Sequence, residues 1–131
     1  MTYEDVEQSD GSIKRNFTLI AGDTFPATVK IQKDGQTVNP QYIKSVKFKL
    51  ADKSYNCLFC ANFTYNSDLQ TYYLEVPAET LEQVSSEQLK TGNKAKFIYE
   101  YELTLLDGYI TTLMQANFTI TKQITGCANE W

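Results

Sequence analysis

The chain of 131 residues contains no histidine. Histidine is the commonest general base in enzymes and the commonest metal ligand, so its absence removes the usual starting point for both kinds of site. The sequence also has no Gly-x-Ser-x-Gly motif, no glycine-rich phosphate loop and no acidic cluster at metal-ligand spacing. We therefore expect a protein that is not an enzyme and has no catalytic residues, no cofactor and no bound metal.

Cysteine is scarce and odd in number, with three residues in the chain. An odd number is poor material for a disulfide framework. Cys57 and Cys60 lie in an apparent strand, where residues three apart point to opposite faces. A zinc site needs about four ligands, whereas only Cys127 remains to join them. Reduced structural thiols are therefore favoured over a metal or redox pair.

The chain also lacks a cluster of basic residues and any long apolar run. Its net charge is −4, which argues against nucleic acid and anionic membranes as main partners. A helix that crosses a membrane needs about 18 consecutive apolar residues, and the sequence contains no such stretch. The polar opening TYEDVEQSDGS is unlike a signal peptide, so we expect the protein to stay in the compartment where it is made.

What the chain does contain is typical of one folded domain rich in aromatic residues. Hydrophobic residues make up 42% and charged residues 21%, which excludes a disordered chain. Nine tyrosines and seven phenylalanines favour pleated sheets. We predict a flexible, acidic arm over residues 1–15, a β-sandwich domain over residues 16–125 and a short tail over residues 126–131.

The clearest pattern predicts a hairpin over residues 96–121. Apolar side chains alternate along each half, as in two strands with one buried face. Between the halves stands Asp107-Gly108, a dipeptide that tolerates the positive φ angles of a tight turn. Folding about that turn places the apolar residues of both strands on one face. The predicted pairs are Leu105–Ile110, Leu103–Thr112, Tyr101–Met114, Tyr99–Ala116 and Phe97–Phe118.

Shorter alternating segments predict five more strands, near residues 17–20, 25–32, 45–50, 57–65 and 72–76. Gly22 and Asp23 mark a turn, in which the Asp23 carboxylate is expected to cap backbone amides rather than bind calcium. One short helix is predicted over residues 78–90, with Thr80 opening a capping box. Seven short strands separated by turn signals predict an immunoglobulin-like antiparallel β-sandwich.

Candidate functional residues are few. Glu100 and Glu102 share the outer face of one predicted strand, as a glycosidase pair could, but alternating acids of this kind usually mark a solvated face. The outward Tyr73, with Tyr55 and Tyr109, could stack on sugars, although use in the core or in a protein interface is favoured. Trp131 is either a loose end or an anchor on a neighbouring subunit. Tyr73 and Trp131 are therefore the candidate interface residues.

Several short motifs resemble one known family, the amino-terminal domain of phage baseplate upper proteins, found in siphophages and prophages of Gram-positive bacteria. The resemblance extends over roughly residues 16–125. It implies an immunoglobulin-like sandwich that docks onto the tail tip and helps to carry receptor-binding proteins, with no catalytic residues. The motifs are Phe17-Thr18-Leu19-Ile20, Gly22-Asp23-Thr24, Asp34-Gly35, Asp107-Gly108, Thr111-Thr112 and Asn117-Phe118-Thr119-Ile120.

Two departures from the family refine that expectation. The Gly-Tyr lead-in to the long strand is missing after Gly92, and the chain ends at Trp131 where family members continue into a coiled-coil stalk. We therefore expect a small tail or baseplate adaptor or accessory subunit, assembled with other virion proteins and with copies of itself. It would be found in the virion, and in the host bacterial cytoplasm during assembly. The residues at 1–15 and 122–131 are expected to become ordered in that assembly. The alternatives are a capsid decoration protein and a carbohydrate-binding or adhesion module.

Overall fold

The structure is a computed structural model and describes residues 1–124. The predicted tail at 126–131, with Cys127 and Trp131, lies outside the described residues. The helices are α1 (Ala78–Thr91) and a short 3-10 turn (Pro40–Tyr42). The strands are β1 (Thr2–Glu7), β2 (Ile13–Ile20), β3 (Phe25–Val29), β4 (Gln32–Lys33), β5 (Gln36–Thr37), β6 (Ile43–Ala51), β7 (Cys57–Asn62), β8 (Thr64–Asn66), β9 (Thr71–Val76), β10 (Lys94–Leu105) and β11 (Ile110–Thr121).

Two sheets of unequal width make up the fold. The large sheet has six strands in the order β1-β2-β11-β10-β6-β7, and the small sheet has three in the order β3-β9-β8. Strands β4 and β5 form a separate two-stranded ribbon. The predicted immunoglobulin-like β-sandwich with one short helix is confirmed. One pair departs from the antiparallel prediction, because β2 runs parallel to β11 with Phe17 beside Phe118.

The core between the sheets is built largely from aromatic rings. Phe118 of β11 lies within 4.9–6.5 Å, between ring centroids, of four other rings. They come from both layers, since Phe25 belongs to the small sheet and Phe48 to the large one. Aromatic pairs at such distances add stability beyond the area they bury. The aromatic alternation that predicted strands therefore also supplies the contact between the sheets.

The first fifteen residues differ from the predicted flexible arm. Thr2–Glu7 forms an edge strand of the large sheet, with Tyr3 paired to Phe17. A turn closes this hairpin, in which the amide of Gly11 donates to the carbonyl of Gln8 (3.0 Å) and the amide of Ser12 to the Asp10 carboxylate (2.9 Å). The sequence signal for this hairpin was Asp10-Gly11, the same dipeptide that stands in the loop between β10 and β11. The acidic, exposed character of β1 concealed it.

The predicted hairpin forms β10 and β11, but its loop contains one residue more than the predicted two-residue turn. The amide of Gly108 donates to the carbonyl of Leu105 (3.0 Å), and the amide of Leu105 donates to the carbonyl of Tyr109 (2.9 Å). Three residues therefore lie in the loop, and Gly108 has a φ of +92°. This is the arrangement of a type I turn followed by a left-handed glycine. It pairs Thr104 with Ile110.

A β-bulge then restores the predicted register. Tyr101 pairs with Met114 whereas Glu102 pairs with Thr112, so Leu113 is the extra residue on β11. The predicted pairs Tyr101–Met114, Tyr99–Ala116 and Phe97–Phe118 are confirmed, and the pairs Leu103–Thr112 and Leu105–Ile110 are wrong. Because the loop and the bulge each shift the register by one residue, only the outer end of the hairpin is displaced, and Ile110 faces solvent instead of the core.

We expect Gly108→Ala to lower the free energy of unfolding by about 1 kcal/mol. An alanine fits the space, since nothing lies within 4 Å of the added Cβ, but the positive φ strains any residue other than glycine. Urea denaturation of the two proteins measures the difference. Gly92→Ala is the matched control, because Gly92 has an extended φ of −149° and its Cβ would meet only the Gln88 carbonyl at 3.6 Å. Equal destabilisation by both substitutions would contradict this account.

Two further elements differ from their predictions. The strand expected over residues 57–65 is divided at the buried Phe63. The part before it is β7, the last strand of the large sheet, and the part after it is β8, which belongs to the small sheet. Helix α1 begins at Ala78, with Pro77 at its N-cap and no side-chain cap, so the capping box predicted at Thr80 is wrong. Among the described residues, no helix combines the length and the hydropathy needed to cross a membrane.

Candidate functional site

The four predicted turn residues lie at opposite ends of β11. Near its carboxyl end, the amide of Asp23 donates to the carbonyl of Ile20 (3.0 Å), and Gly22 has a φ of +100°. The Asp23 carboxylate is exposed and has no hydrogen bond among residues 1–124, so the turn is made by the backbone and not by the predicted cap. In the hairpin loop, the Asp107 carboxylate accepts a hydrogen bond from the amide of Tyr109 (2.9 Å).

The three tyrosines considered for sugar binding are not brought together. Tyr73 lies on the outer face of the small sheet, where its hydroxyl donates to the Glu75 carboxylate (2.8 Å), and that hydrogen bond raises the pKa of Tyr73. Tyr55 lies beyond the carboxyl end of β6. Tyr109 lies near the opposite end of β6, in the hairpin loop that follows the pairing of Leu105 with Ile43. Because β6 has nine residues, its two ends are about 30 Å apart. Any sugar site at Tyr73 would therefore involve neither of the other two.

Glu100 and Glu102 are held together by a shared lysine. The Lys49 ammonium lies 2.8 Å from Glu102 and 3.8 Å from Glu100, and Gln115 donates to Glu100 at 3.0 Å. The hydrogen bond with Glu102 raises the pKa of Lys49. This row of polar contacts crosses three strands on the outer face of the large sheet. Both carboxylates therefore have their partners, the Lys49 ammonium and the Gln115 amide, on the same face of the sheet.

The described cysteines are both free. Cys57 and Cys60 lie on the edge strand β7 and are exposed. The Cys57 thiol contacts the carbonyl of Phe59 at 3.6 Å. Within residues 1–124, no three His, Cys, Asp or Glu side chains come close enough together to hold a metal ion.

Four large apolar side chains are exposed where the long hairpin ends. Tyr42, Leu106, Tyr109 and Ile110, here called the hairpin-end patch, are each between 59% and 64% exposed. The amide of Leu106 donates to the carbonyl of Tyr42 (3.0 Å), which ties the hairpin loop to the 3-10 turn. The alternation of apolar residues predicted Ile110 on the buried face, so this patch could not be predicted from the sequence. The three-residue loop is what turns Ile110 outward.

An open cleft of about 450 Å³ lies between β3 and the inner face of the large sheet. Arg15 and Asp5 form an ion pair at its wall (2.8 Å), and the Arg15 guanidinium stacks over the Tyr3 ring at 4.1 Å from the ring centroid. The hydrogen bond from Arg15 lowers the pKa of Asp5, and the same contact raises the pKa of Arg15. Deeper in the cleft, the Tyr99 hydroxyl donates to the carbonyl of Arg15.

Tyr101 lines the same cleft but differs from Tyr99 in its hydrogen bonding. The residue is only 6% exposed, and burial raises the pKa of its hydroxyl. Among the described residues this hydroxyl has no hydrogen-bond partner, although it stays accessible from the cleft. A buried phenol usually finds a partner. Beside the Arg15–Asp5 ion pair and a largely aromatic and apolar lining, the cleft therefore offers a hydroxyl that no described residue uses.

Known proteins show little similarity to this chain. No protein-family model matches it, and no curated protein does either. Among solved structures, CopC from Methylosinus trichosporium OB3b is similar over 95% of this chain and 99% of its own, with a TM-score of 0.48 and 13% sequence identity. A likeness at this level carries no argument about what the present chain does.

Proposed function

We propose that this protein is a non-enzymatic structural subunit of a phage tail or baseplate, acting through assembly with other virion proteins. The observation that carries the proposal is the hairpin-end patch. Clusters of exposed apolar side chains, and of exposed tyrosines in particular, are typical of surfaces that become buried against another protein. The role in a phage is supported by the sequence motifs that resemble baseplate upper proteins.

The mechanism is geometric. The patch stands at the end of two strands of 12 residues each, whose other ends are fixed in the aromatic core. The loop is held to the 3-10 turn by the bond between Leu106 and Tyr42. A surface fixed in this way loses little conformational entropy on binding, so more of its apolar burial contributes to affinity. The subunit would thus present one preformed contact to its neighbour.

We expect Ile110→Lys to reduce incorporation of the protein into phage particles by about tenfold or more. A lysine at the centre of a buried apolar contact introduces an unpaired charge, which costs about 1–3 kcal/mol at such positions. Quantitative mass spectrometry of purified particles, with the variant supplied in place of the wild type, measures the effect. Leu69→Lys is the matched control, since Leu69 is 65% exposed but lies in the turn before β9. Equal incorporation of both variants would refute the role of the patch.

The place of the protein in the particle is tested separately. Immunogold labelling of purified particles should mark the tail end. Labelling distributed over the head would favour the alternative of a capsid decoration protein. Absence of the chain from particles that contain all other structural proteins would overturn the proposal of a virion component.

A carbohydrate-binding module is the second candidate, and one observation favours it. Beside Tyr73 lies a shallow pocket lined by hydroxyl and amide side chains, from Thr64, Tyr65, Asn66 and Ser67. Such groups are suited to hydrogen bonds with sugars. A glycan array decides between the two candidates, because saturable binding that Tyr73→Ala abolishes would favour the module. No binding on the array is the result expected for an assembly subunit.

A further inference from the structure

The two sheets do not match in width, and the cleft lies where they differ. The small sheet has three strands and the large sheet six, and the small sheet leaves Tyr3 of β1 and Ile13 at the start of β2 more than half exposed. Strand β3 is the outer strand of the small sheet and pairs only with β9. Residues 26–30 line the cleft without interruption. The cleft therefore occupies the position that a fourth strand of the small sheet would take.

The floor of this position is apolar and accessible. Ile13 and Tyr3 lie on the same face of the large sheet as the core residue Phe17, yet both side chains are more than half exposed. The bulge places Leu113 beside them. Apolar side chains on the inner face of a sheet are usually covered by the opposite layer. Here the layer ends at β3, and the side chains of an added strand would cover them.

The polar groups of the cleft restrict what can bind. The charges of Arg15 and Asp5 neutralise each other, which leaves Lys30 as the remaining charged side chain of the lining. A neutral or acidic occupant suits this lining better than a basic one. The hydroxyl of Tyr101, which has no hydrogen-bond partner among residues 1–124, can donate a hydrogen bond or accept one. Strand β3 pairs with β9 on one side only, so the main-chain groups of alternate residues that point away from β9 are available to an extended backbone, apart from any amide that Pro26 lacks.

We propose that the cleft binds an extended segment of a partner protein, which adds to β3 as a fourth strand of the small sheet. Alternate side chains of the segment are apolar and cover Tyr3, Ile13 and Leu113, and the segment is neutral or acidic. Main-chain hydrogen bonds to β3 provide affinity and the apolar floor provides specificity, as in other cases of strand addition. The inference rests on the proposed assembly role for its partner class and adds a second contact to it.

The test uses the purified protein and a random twelve-residue peptide display library. We expect the enriched peptides to share alternating apolar residues and to carry no net positive charge. A synthetic copy of the most enriched peptide is titrated calorimetrically against the wild type, Ile13→Asp and Ile20→Asp. Ile13 and Ile20 belong to the same strand and are 54% and 49% exposed, but only Ile13 lines the cleft. We expect Ile13→Asp to weaken binding by about tenfold or more and Ile20→Asp to leave it unchanged.

Two further measurements examine the binding mode. Two versions of the peptide are methylated at complementary sets of alternate backbone nitrogens. The set that faces β3 should weaken binding by about tenfold, and the set that faces solvent should weaken it much less, because strand addition uses only alternate amides. Tyr101→Phe should weaken it by about threefold, without changing the circular dichroism spectrum. Failure to enrich any peptide, equal binding to Ile13→Asp and the wild type, or full binding of both methylated peptides would each overturn the proposal. These binding measurements do not use phage particles. The proposal for the cleft can therefore fail while the virion role holds, and the virion role can fail while the proposal for the cleft holds.

Discussion

Replacement of Phe118 by alanine is expected to lower the free energy of unfolding by about 3–5 kcal/mol. Phe118 is fully buried, and its ring packs edge-on against Phe25 at 4.9 Å between centroids. Three more rings surround it, so the vacated space cannot close without moving residues of both sheets. Against a typical stability of about 5–15 kcal/mol, this loss is large. Urea denaturation followed by tyrosine fluorescence measures it.

The control for this prediction is Leu69→Ala. Leu69 is 65% exposed, so its truncation should change the free energy of unfolding by less than about 0.5 kcal/mol. A loss below about 1 kcal/mol for Phe118→Ala would mean that Phe118 does not connect the two sheets as described. A similar loss for both variants would point to an effect on the unfolded state instead.

We expect stability to fall steeply above pH 10, because Tyr99 and Tyr101 are buried. Burial raises the pKa of both hydroxyls well above the ordinary value of about 10. Below pH 10 both hydroxyls are protonated in the folded and the unfolded state, and their contribution is constant. Above it the unfolded chain releases two protons that the folded protein keeps, so stability decreases as pH rises. The expected loss is about 2–3 kcal/mol between pH 9 and pH 11.

Denaturation at a series of pH values measures this dependence, and phenylalanine variants identify its source. Tyr101→Phe keeps the buried ring and removes the ionisable group, so it should reduce the pH-dependent loss by about half. Tyr42→Phe changes an exposed tyrosine and is the control, which should leave the dependence as in the wild type. If Tyr101→Phe also leaves it unchanged, other groups must cause any alkaline unfolding.

The sequence predicted the elements best where one face is strictly buried. From Phe97 to Tyr101, the alternation determined both the strand and its partners, because a shift by one residue would expose every apolar side chain of that stretch. Nearer the loop this restraint weakens. There the turn chemistry decides, and Asp-Gly is compatible with two-residue and three-residue loops alike. The chain uses both, since Asp34-Gly35 joins Lys33 directly to Gln36.

The candidate sites were harder to predict, because they arise where one element ends beside another. Tyr73 was correctly assigned to an outward face, yet no sequence signal placed it apart from Tyr55 and Tyr109. The cleft was not predicted at all. Its wall β3 and its floor β1 are distant in sequence, and β1 carries three acidic residues that resemble those of a solvated arm. Surface features of this kind have no periodicity that could reveal them.

By itself, the amino-acid sequence determined the class of this protein. Period-two alternation and aromatic content dictate strands, and strands with one apolar face must pack as layers. Only the tertiary structure decided how wide each layer is, that β2 runs parallel to β11, and that β1 extends the large sheet past the small one. Pairing between distant strands depends on which edges remain free after the others have formed. That outcome is a property of the folded molecule, and it creates the cleft.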